Sequence, residues 1–283
     1  MRNKSRKHKL YLSIVLCMIL LLAVAVTTAK YVTVVDAGSF SLEVYAAPKN
    51  YVLSVDIPTK TYSKTFTVAG SITEDRKTAT PLLIAPDFSV TVNNSPATVN
   101  ADGTWSAEIT LDGTSITVEA TDNDEWSVTK QIDYSAFTVL SDNIGKIGLT
   151  GSETSVSIPA TFYDSDEDKW YMVLAIGTGS DTTGVFQGNT NMTAISFPDS
   201  LESIGKFAFK GCTGITDIRI PSSVTFIGAY AFDNCSNLAT ATLEVPTGWK
   251  AGTLTLQESY LAQPVWVARW LRGTYKTAAW TRS

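Results

Sequence analysis

The stretch "DSDEDK" sets Asp164, Asp166 and Asp168 two positions apart, the one, three, five spacing with which carboxylates begin to wrap a calcium ion. A calcium loop of the EF-hand kind also needs glycine at its sixth position and a bidentate glutamate at its twelfth. Lys169 and Ala175 stand there instead. The stretch is therefore expected to be a solvated, charged hairpin tip, as are Asp122 and Asp124. Hydrolysis by paired carboxylates is the other chemistry open to such acids, and no pair stands apart from the loop residues.

Histidine chemistry depends on one residue. His8 is the only histidine of the 283 residues and lies in the basic run "MRNKSRKHKL". Leu10 to Val26 follow, uncharged and mostly apolar, and then the small residues Thr27, Thr28 and Ala29. This order fits export with cleavage after Ala29, and the apolar run also approaches the shortest membrane helix. Residues 1–29 are thus expected to be a signal peptide or an N-terminal membrane anchor, with the rest extracellular or at the cell surface. Cys17 is not in a lipoprotein context, because Leu16 before it is large and the apolar run continues to Val26. No sorting motif with an apolar tail follows Trp280, so wall anchoring from that end is not expected.

Cleavage after Ala29 would remove His8, and with it histidine triads and histidine-ligated zinc. It would leave 17 basic against 27 acidic residues, a net charge of −10. Such a chain is a poor partner for nucleic acid. Contact with a membrane is expected only through the N-terminal segment.

Cys212 and Cys235 then remain, and the offset between them is a repeat. "IGKFAFKGC" and "IGAYAFDNC" match Ile204 with Ile227, Gly205 with Gly228, Ala208 with Ala231 and Phe209 with Phe232, each 23 residues apart. The same offset carries Ile195, Phe197 and Pro198 to Ile218, Ile220 and Pro221, and Phe186, Gly188 and Met192 to Phe209, Gly211 and Ile215. A fixed apolar frame at such a period marks a solenoid, whose coils bury their apolar side only by stacking. Within a coil, Thr216 to Ile220 alternate as a short strand ended by Pro221, which cannot donate to a ladder. Ile227, Tyr230, Ala231 and Phe232 point to a short helical or irregular return. Stacked cysteines would run parallel at about 4.7–4.9 Å, wider than the ~3.8 Å between Cβ atoms of a disulfide. Two buried thiols are expected, and a bridge is the alternative in an oxidising compartment.

The unit I-x-I-P-x-S-[VL]-x-x-I-G-x-x-A-F-x-x-C-x-x-[IL] resembles the leucine-rich repeat of BspA-like bacterial surface proteins, most closely over residues 192–238. Upstream, "GLTGSETSVSIPATFY", "YMVLAIG" and "GVFQGNTNMTAISFP" resemble that family's entry coil, with Ile158 and Pro159 in the strand slot. Pro159 and Pro198 are 39 residues apart, so "YDSDEDKW" and "TGSDTTG" read as loop insertions. The last segment, "SYLAQPVWVARWLRGTYKTAAWTRS", is expected to cap the array. Pro264 suits a first helical turn, Val267, Trp270 and Leu271 share a face, and Gly273 would end the helix. Its tryptophans are expected to pack and seal the last coil.

Between Asn50 and Tyr134 apolar residues alternate in short runs broken by turn residues. Val90 and Val92, then Trp105, Ala107, Ile109 and Leu111, then Ile116, Val118 and Ala120, are separated by Asn93-Asn94, Asp102-Gly103 and Asp112-Gly113. Each pair of turn residues is expected to open a hairpin of an antiparallel sandwich. "VTVNNSPATVNADGTWSAEITLDGTSITVEATDND" resembles the bacterial Ig-like module first described as a domain of glucodextranase, although its ending, "ATDNDEWSV", departs from that module. The segment has no cysteine, so Trp105 is expected to anchor its core.

The expected fold class is mainly β. A linker at 30–49 leads to an Ig-like antiparallel β-sandwich at 50–135, then a short leucine-rich-repeat solenoid with a parallel sheet at 136–250 and a C-terminal helical cap at 251–283. The resemblance implies a non-enzymatic, exported surface or secreted protein without cofactor or metal. It would bind an extracellular protein or cell-surface ligand, with the Ig-like domain as a stalk. The alternative is a carbohydrate-binding accessory module, because relatives of the Ig-like module occur in glycan-degrading enzymes. Alternation places Ile195, Phe197, Ile218, Ile220, Ala241 and Leu243 inward. Ala194, Ser196, Asp217, Arg219, Thr240 and Thr242 then form two outward columns, the candidate partner-binding face.

Overall fold

A computed structural model of the chain describes residues 31–35, 41–45, 51–74, 88–122, 126–180 and 182–283. Residues 1–29, expected to direct export and holding His8 and Cys17, and Asp124 lie outside the described residues. Strands β1 (Tyr31–Val35) and β2 (Ser41–Tyr45) pair antiparallel, so the segment expected as a linker holds a hairpin.

Nine residues-alternating strands follow: β3 (Tyr51–Asp56), β4 (Lys60–Thr61), β5 (Thr65–Glu74), β6 (Ser89–Val92), β7 (Ser95–Pro96), β8 (Thr98–Val99), β9 (Thr104–Thr110), β10 (Ser115–Thr121) and β11 (Ser127–Val139). One antiparallel sheet runs β3-β5-β9-β8, and β7-β6-β10-β11 form the antiparallel end of a second. The period-two residues do what their spacing demands. Trp105, Ala107 and Ile109 from the first sheet and Ile116, Val118 and Ala120 from the second share one buried cluster. Trp105 can pack against β5 because Gly70 has no side chain there. A Cβ on Gly70 would stand 2.7 Å from the indole and 2.1 Å from the Ser54 carbonyl oxygen.

Two of the three expected turns make hairpins. Asn93 and Asn94, with φ of 49° and 64°, join β6 to β7, and Asp102-Gly103 join β8 to β9. Asp112-Gly113 do not: β9 pairs with β5 and β8 while β10 pairs with β6 and β11, so this connection crosses between sheets. Turn chemistry signals a change of direction and leaves the next partner open.

Strand β11 ties this sandwich to the repeats. Its first half pairs antiparallel with β10, and Tyr134–Val139 pair parallel with β14 (Lys169–Ile176), which follows β12 (Ser155–Ser157) and β13 (Thr161–Asp164). The expected boundary at residue 135 thus falls inside a continuous strand. β14 is a wall with two faces: Trp170, Met172 and Leu174 belong to the sandwich core, Tyr171 and Val173 to the repeat core. β4 pairs with β13 beside it, and the buried hydroxyls of Thr61 and Thr161 meet at 2.7 Å.

The repeats supply β15 (Ala194–Ser196), β16 (Ser203–Ile204), β17 (Asp217–Ile220), β18 (Phe226–Ile227) and β19 (Thr240–Leu243). Where one ladder was expected on the face side, there are two separate parallel pairs, β12-β15 and β17-β19, with no pairing between β15 and β17, while a continuous parallel ladder, β14-β16-β18, runs along the return side. The return is therefore a two-residue strand followed by turns, with no helix. Phe186, Phe209 and Phe232 stack at 5.3 Å and 10° through three coils, all fully buried. Cys212 and Cys235 are free, buried thiols that donate to the carbonyl oxygens of Phe186 and Phe209 at 3.0 and 3.1 Å.

The end of the array is closed by β20 (Trp249–Ala251), β21 (Leu254–Thr255), short helices Glu258–Leu261 and Pro264–Arg269, a π turn Trp270–Thr274 and β22 (Trp280–Arg282). Pro264 opens its helix, and Val267 and Leu271 enter the core, whereas Trp270 is half-buried on their flank. Gly273 lies inside the π turn and does not end the helix. β22 pairs antiparallel with β18 and β20, which covers the last free edge of the return ladder. Among the described residues no helix is long and apolar enough to cross a membrane.

Candidate functional site

The two outward columns stand on two parallel strand pairs, each in register within itself. Asp217 pairs with Thr240 and Arg219 with Thr242, and on the preceding pair Ser155 stands beside Ala194 and Ser157 beside Ser196. Ala194, Ser196, Asp217, Arg219 and Thr242 are exposed, while Thr240 is half-buried. On the inner side Ile218, Ile220, Ala241 and Leu243 are buried as alternation requires. Ile195 and Phe197, expected inward with them, are only half-buried against the core.

The face is polar but not free. Arg219 Nε donates to Glu244 Oε1 at 2.7 Å, and the Ser222 backbone N–H donates to the other Glu244 oxygen at 3.0 Å. Burial pulls the Glu244 carboxyl upward, but the Arg219 guanidinium and the Ser222 N–H outweigh it and hold the group below its ordinary value. Asp217 accepts from the Thr216 hydroxyl at 3.0 Å, and Ser196 donates to Ser157 at 3.0 Å. Glu244 is the residue that reading by repeat slot misses. It occupies the position of Pro221, and that departure from the unit was the available signal.

Asn189 is a second departure. It stands one period before Cys212, and its amide donates to the carbonyl oxygens of Gly151 and Glu153 at 3.0 and 3.1 Å while accepting from the Asn191 and Met192 N–H groups. The first coil has no carbonyl ladder before it, so a polar side chain satisfies the irregular entry loop where later coils need only a thiol.

The acidic stretch is a hairpin tip as expected, but Asp164 is not solvated. It is buried, ion-paired to Lys146 at 2.8 Å, and accepts the N–H groups of Asp166 and Glu167. Lys146 also meets Glu167, and Tyr171 donates to Glu167. Hydrogen bonds from Lys146 hold both carboxyls below their ordinary values, and the two carboxylates in turn raise Lys146. Asp122 accepts the Trp126 N–H at 2.9 Å. Among the described residues no group of three His, Cys, Asp or Glu is placed to hold a metal ion.

A stacked ladder of parallel strands with an apolar inner column and a polar outer column is the architecture of a leucine-rich-repeat solenoid. Residues 182–250 match the family described as BspA type leucine rich repeat region (6 copies). The matched span is 69 residues, three periods of 23, and it includes the stacked phenylalanines, both cysteines and the strands β15, β17 and β19. β12 and its serines precede it. Repeats of this type are typical of bacterial surface proteins and generally serve protein–protein binding. No curated protein and no solved structure matches the chain.

Proposed function

We propose that the chain is an exported, non-enzymatic surface or secreted protein that adheres to an extracellular protein or cell-surface ligand through its repeat face. The Ig-like sandwich is its stalk, and β11 running through both parts makes stalk and head one stiff piece. The observation that carries the reading is the pair of exposed columns repeated along stacked strands. They leave a side-chain surface of mixed hydroxyl, acid and base character, which suits recognition of a partner's polar surface.

The test is a pull-down against extracellular-matrix proteins and whole cells, followed by the double variant Asp217→Ala, Arg219→Ala. Arg219 is 77% exposed, and an ion pair so placed contributes about 0–1 kcal/mol, so the melting transition should hardly move. Adhesion should fall. Unchanged adhesion with unchanged melting would remove the repeat face from the function.

A further inference from the structure

Where the sandwich meets the first coil there is an open cleft of about 420 Å³, and none of the six repeat-face residues lines it. Strand β11 contributes Gln131 and Asp133, and the β13–β14 hairpin contributes Tyr163, Asp168, Lys169 and Trp170. The aromatic pair is built in. Trp170 packs on the buried Tyr134 at 5.7 Å and on Tyr163 at 5.1 Å, and both Tyr163 and Trp170 remain half-exposed at the cleft. Because Tyr134 and Trp170 are register partners across β11 and β14, the indole is held in place before any ligand arrives.

The polar groups are only half used. Gln131 donates to Asp133 Oδ1 at 2.8 Å, and the Tyr163 hydroxyl donates to Asp168 Oδ1. Among the described residues, Oδ2 of each aspartate accepts no hydrogen bond and Lys169 makes no ion pair. Acceptors and one donor thus surround an aromatic wall, in a volume within the range of about 300–1,000 Å³ of small-molecule sites.

We propose that this cleft binds a short, uncharged saccharide, its pyranose ring against Trp170 and Tyr163 and its hydroxyls on Asp133, Asp168 and Lys169. A sugar presents an apolar C–H face, which packs on aromatic rings, and a rim of hydroxyls that each donate and accept. Carboxylate acceptors beside an ammonium donor complete that rim with charge-assisted bonds. Two carboxylates against one ammonium disfavour an anionic ligand, and the exposed polar rim disfavours an apolar one. The proposal is independent of the repeat-face reading.

The experiment is an NMR titration of the full chain with cellotriose, chitotriose and maltotriose in turn, and with trilysine as a cationic control. The readout is the Trp170 indole N–H resonance, assigned with Trp170→Phe. At least one trisaccharide should shift it saturably. Asp133→Ala should weaken that binding at least about tenfold, as loss of a hydrogen bond to a charged group does, and Tyr163→Ala about two- to tenfold, as loss of a ring contact does. Asp133 is exposed, so its variant keeps the fold. The Asp217→Ala, Arg219→Ala protein should bind the sugar as well as the wild type. No shift with any trisaccharide, equal binding by Asp133→Ala, or a shift with trilysine alone would each overturn the proposal, the last in favour of a basic peptide.

Discussion

Replacing Phe209 with alanine removes the centre of the aromatic column, and the geometry sets how much that should cost. The ring is fully buried, stacked at 5.3 Å on Phe186 and on Phe232, and met edge-on by Phe197 at 5.7 Å. Phenylalanine-to-alanine changes in cores cost about 3–5 kcal/mol, and each aromatic pair adds about 0.5–1.5 kcal/mol beyond the area it buries. Phe232, equally buried, has among the described residues one such aromatic partner. Phe209→Ala should therefore lie near the top of that range, about 5 kcal/mol, and exceed Phe232→Ala by roughly 1–3 kcal/mol. Urea unfolding followed by circular dichroism measures both, with Phe209→Leu as a milder variant should the alanine protein not fold. A loss below about 1 kcal/mol would refute the burial. Equal losses at Phe209 and Phe232 would refute the contribution of the stack.

Deleting residues 251–283 removes Val267, Leu271 and Trp280 from the core; the truncated protein should aggregate or lose cooperative unfolding, and a soluble, cooperative monomer in sedimentation and urea melts would refute the capping role. Residues 137–283 alone should be markedly less stable than residues 51–283, because Met172 and its neighbours on β14 lose the sandwich core they face; equal urea midpoints would show the two parts to be independent. Asp164 and Glu167 are held below their ordinary values of 3.8 and 4.5, so their contribution is complete above those values and drains away as the pH falls below them. The urea midpoint should drop on acidification, and less so in Lys146→Met; identical acid limbs would exclude the cluster. Burial pushes both thiols up to about 12, so iodoacetamide at neutral pH should label Cys212 and Cys235 only on unfolding, and prompt labelling seen by mass spectrometry would refute their placement.

The strand Asp217–Ile220, the inward Ile218, Ile220, Ala241 and Leu243, the outward Asp217, Arg219 and Thr242, and the burial of Trp105, Phe209 and Phe232 are legible from spacing alone. Each depends on a local rule, period two in a strand or one slot per coil, that stays true wherever the strand is placed. The thiol geometry was legible for the same reason, since residues one period apart stack in parallel.

What spacing could not convey is which strands become neighbours. Asp112-Gly113 turn the chain in either case, and only the packing of two sheets decides that β9 and β10 face each other instead of pairing. "SAFTVL" reads as the start of a new domain, yet Ser127–Val139 is one strand, because β14 needs a partner on one side and the sandwich core needs Trp170 and Met172 on the other. The cleft residues Gln131 and Asp133 lie thirty or more positions before Tyr163 and Trp170, outside every repeat, and no motif joins them. The sequence by itself determined the period, the apolar frame and which side chains face in or out, since these follow from the local geometry of the chain. Only the tertiary structure decided that sandwich and solenoid share a sheet, that Glu244 holds Arg219 and that an aromatic cleft forms at the joint, because each depends on contacts between segments that sequence distance leaves unlinked.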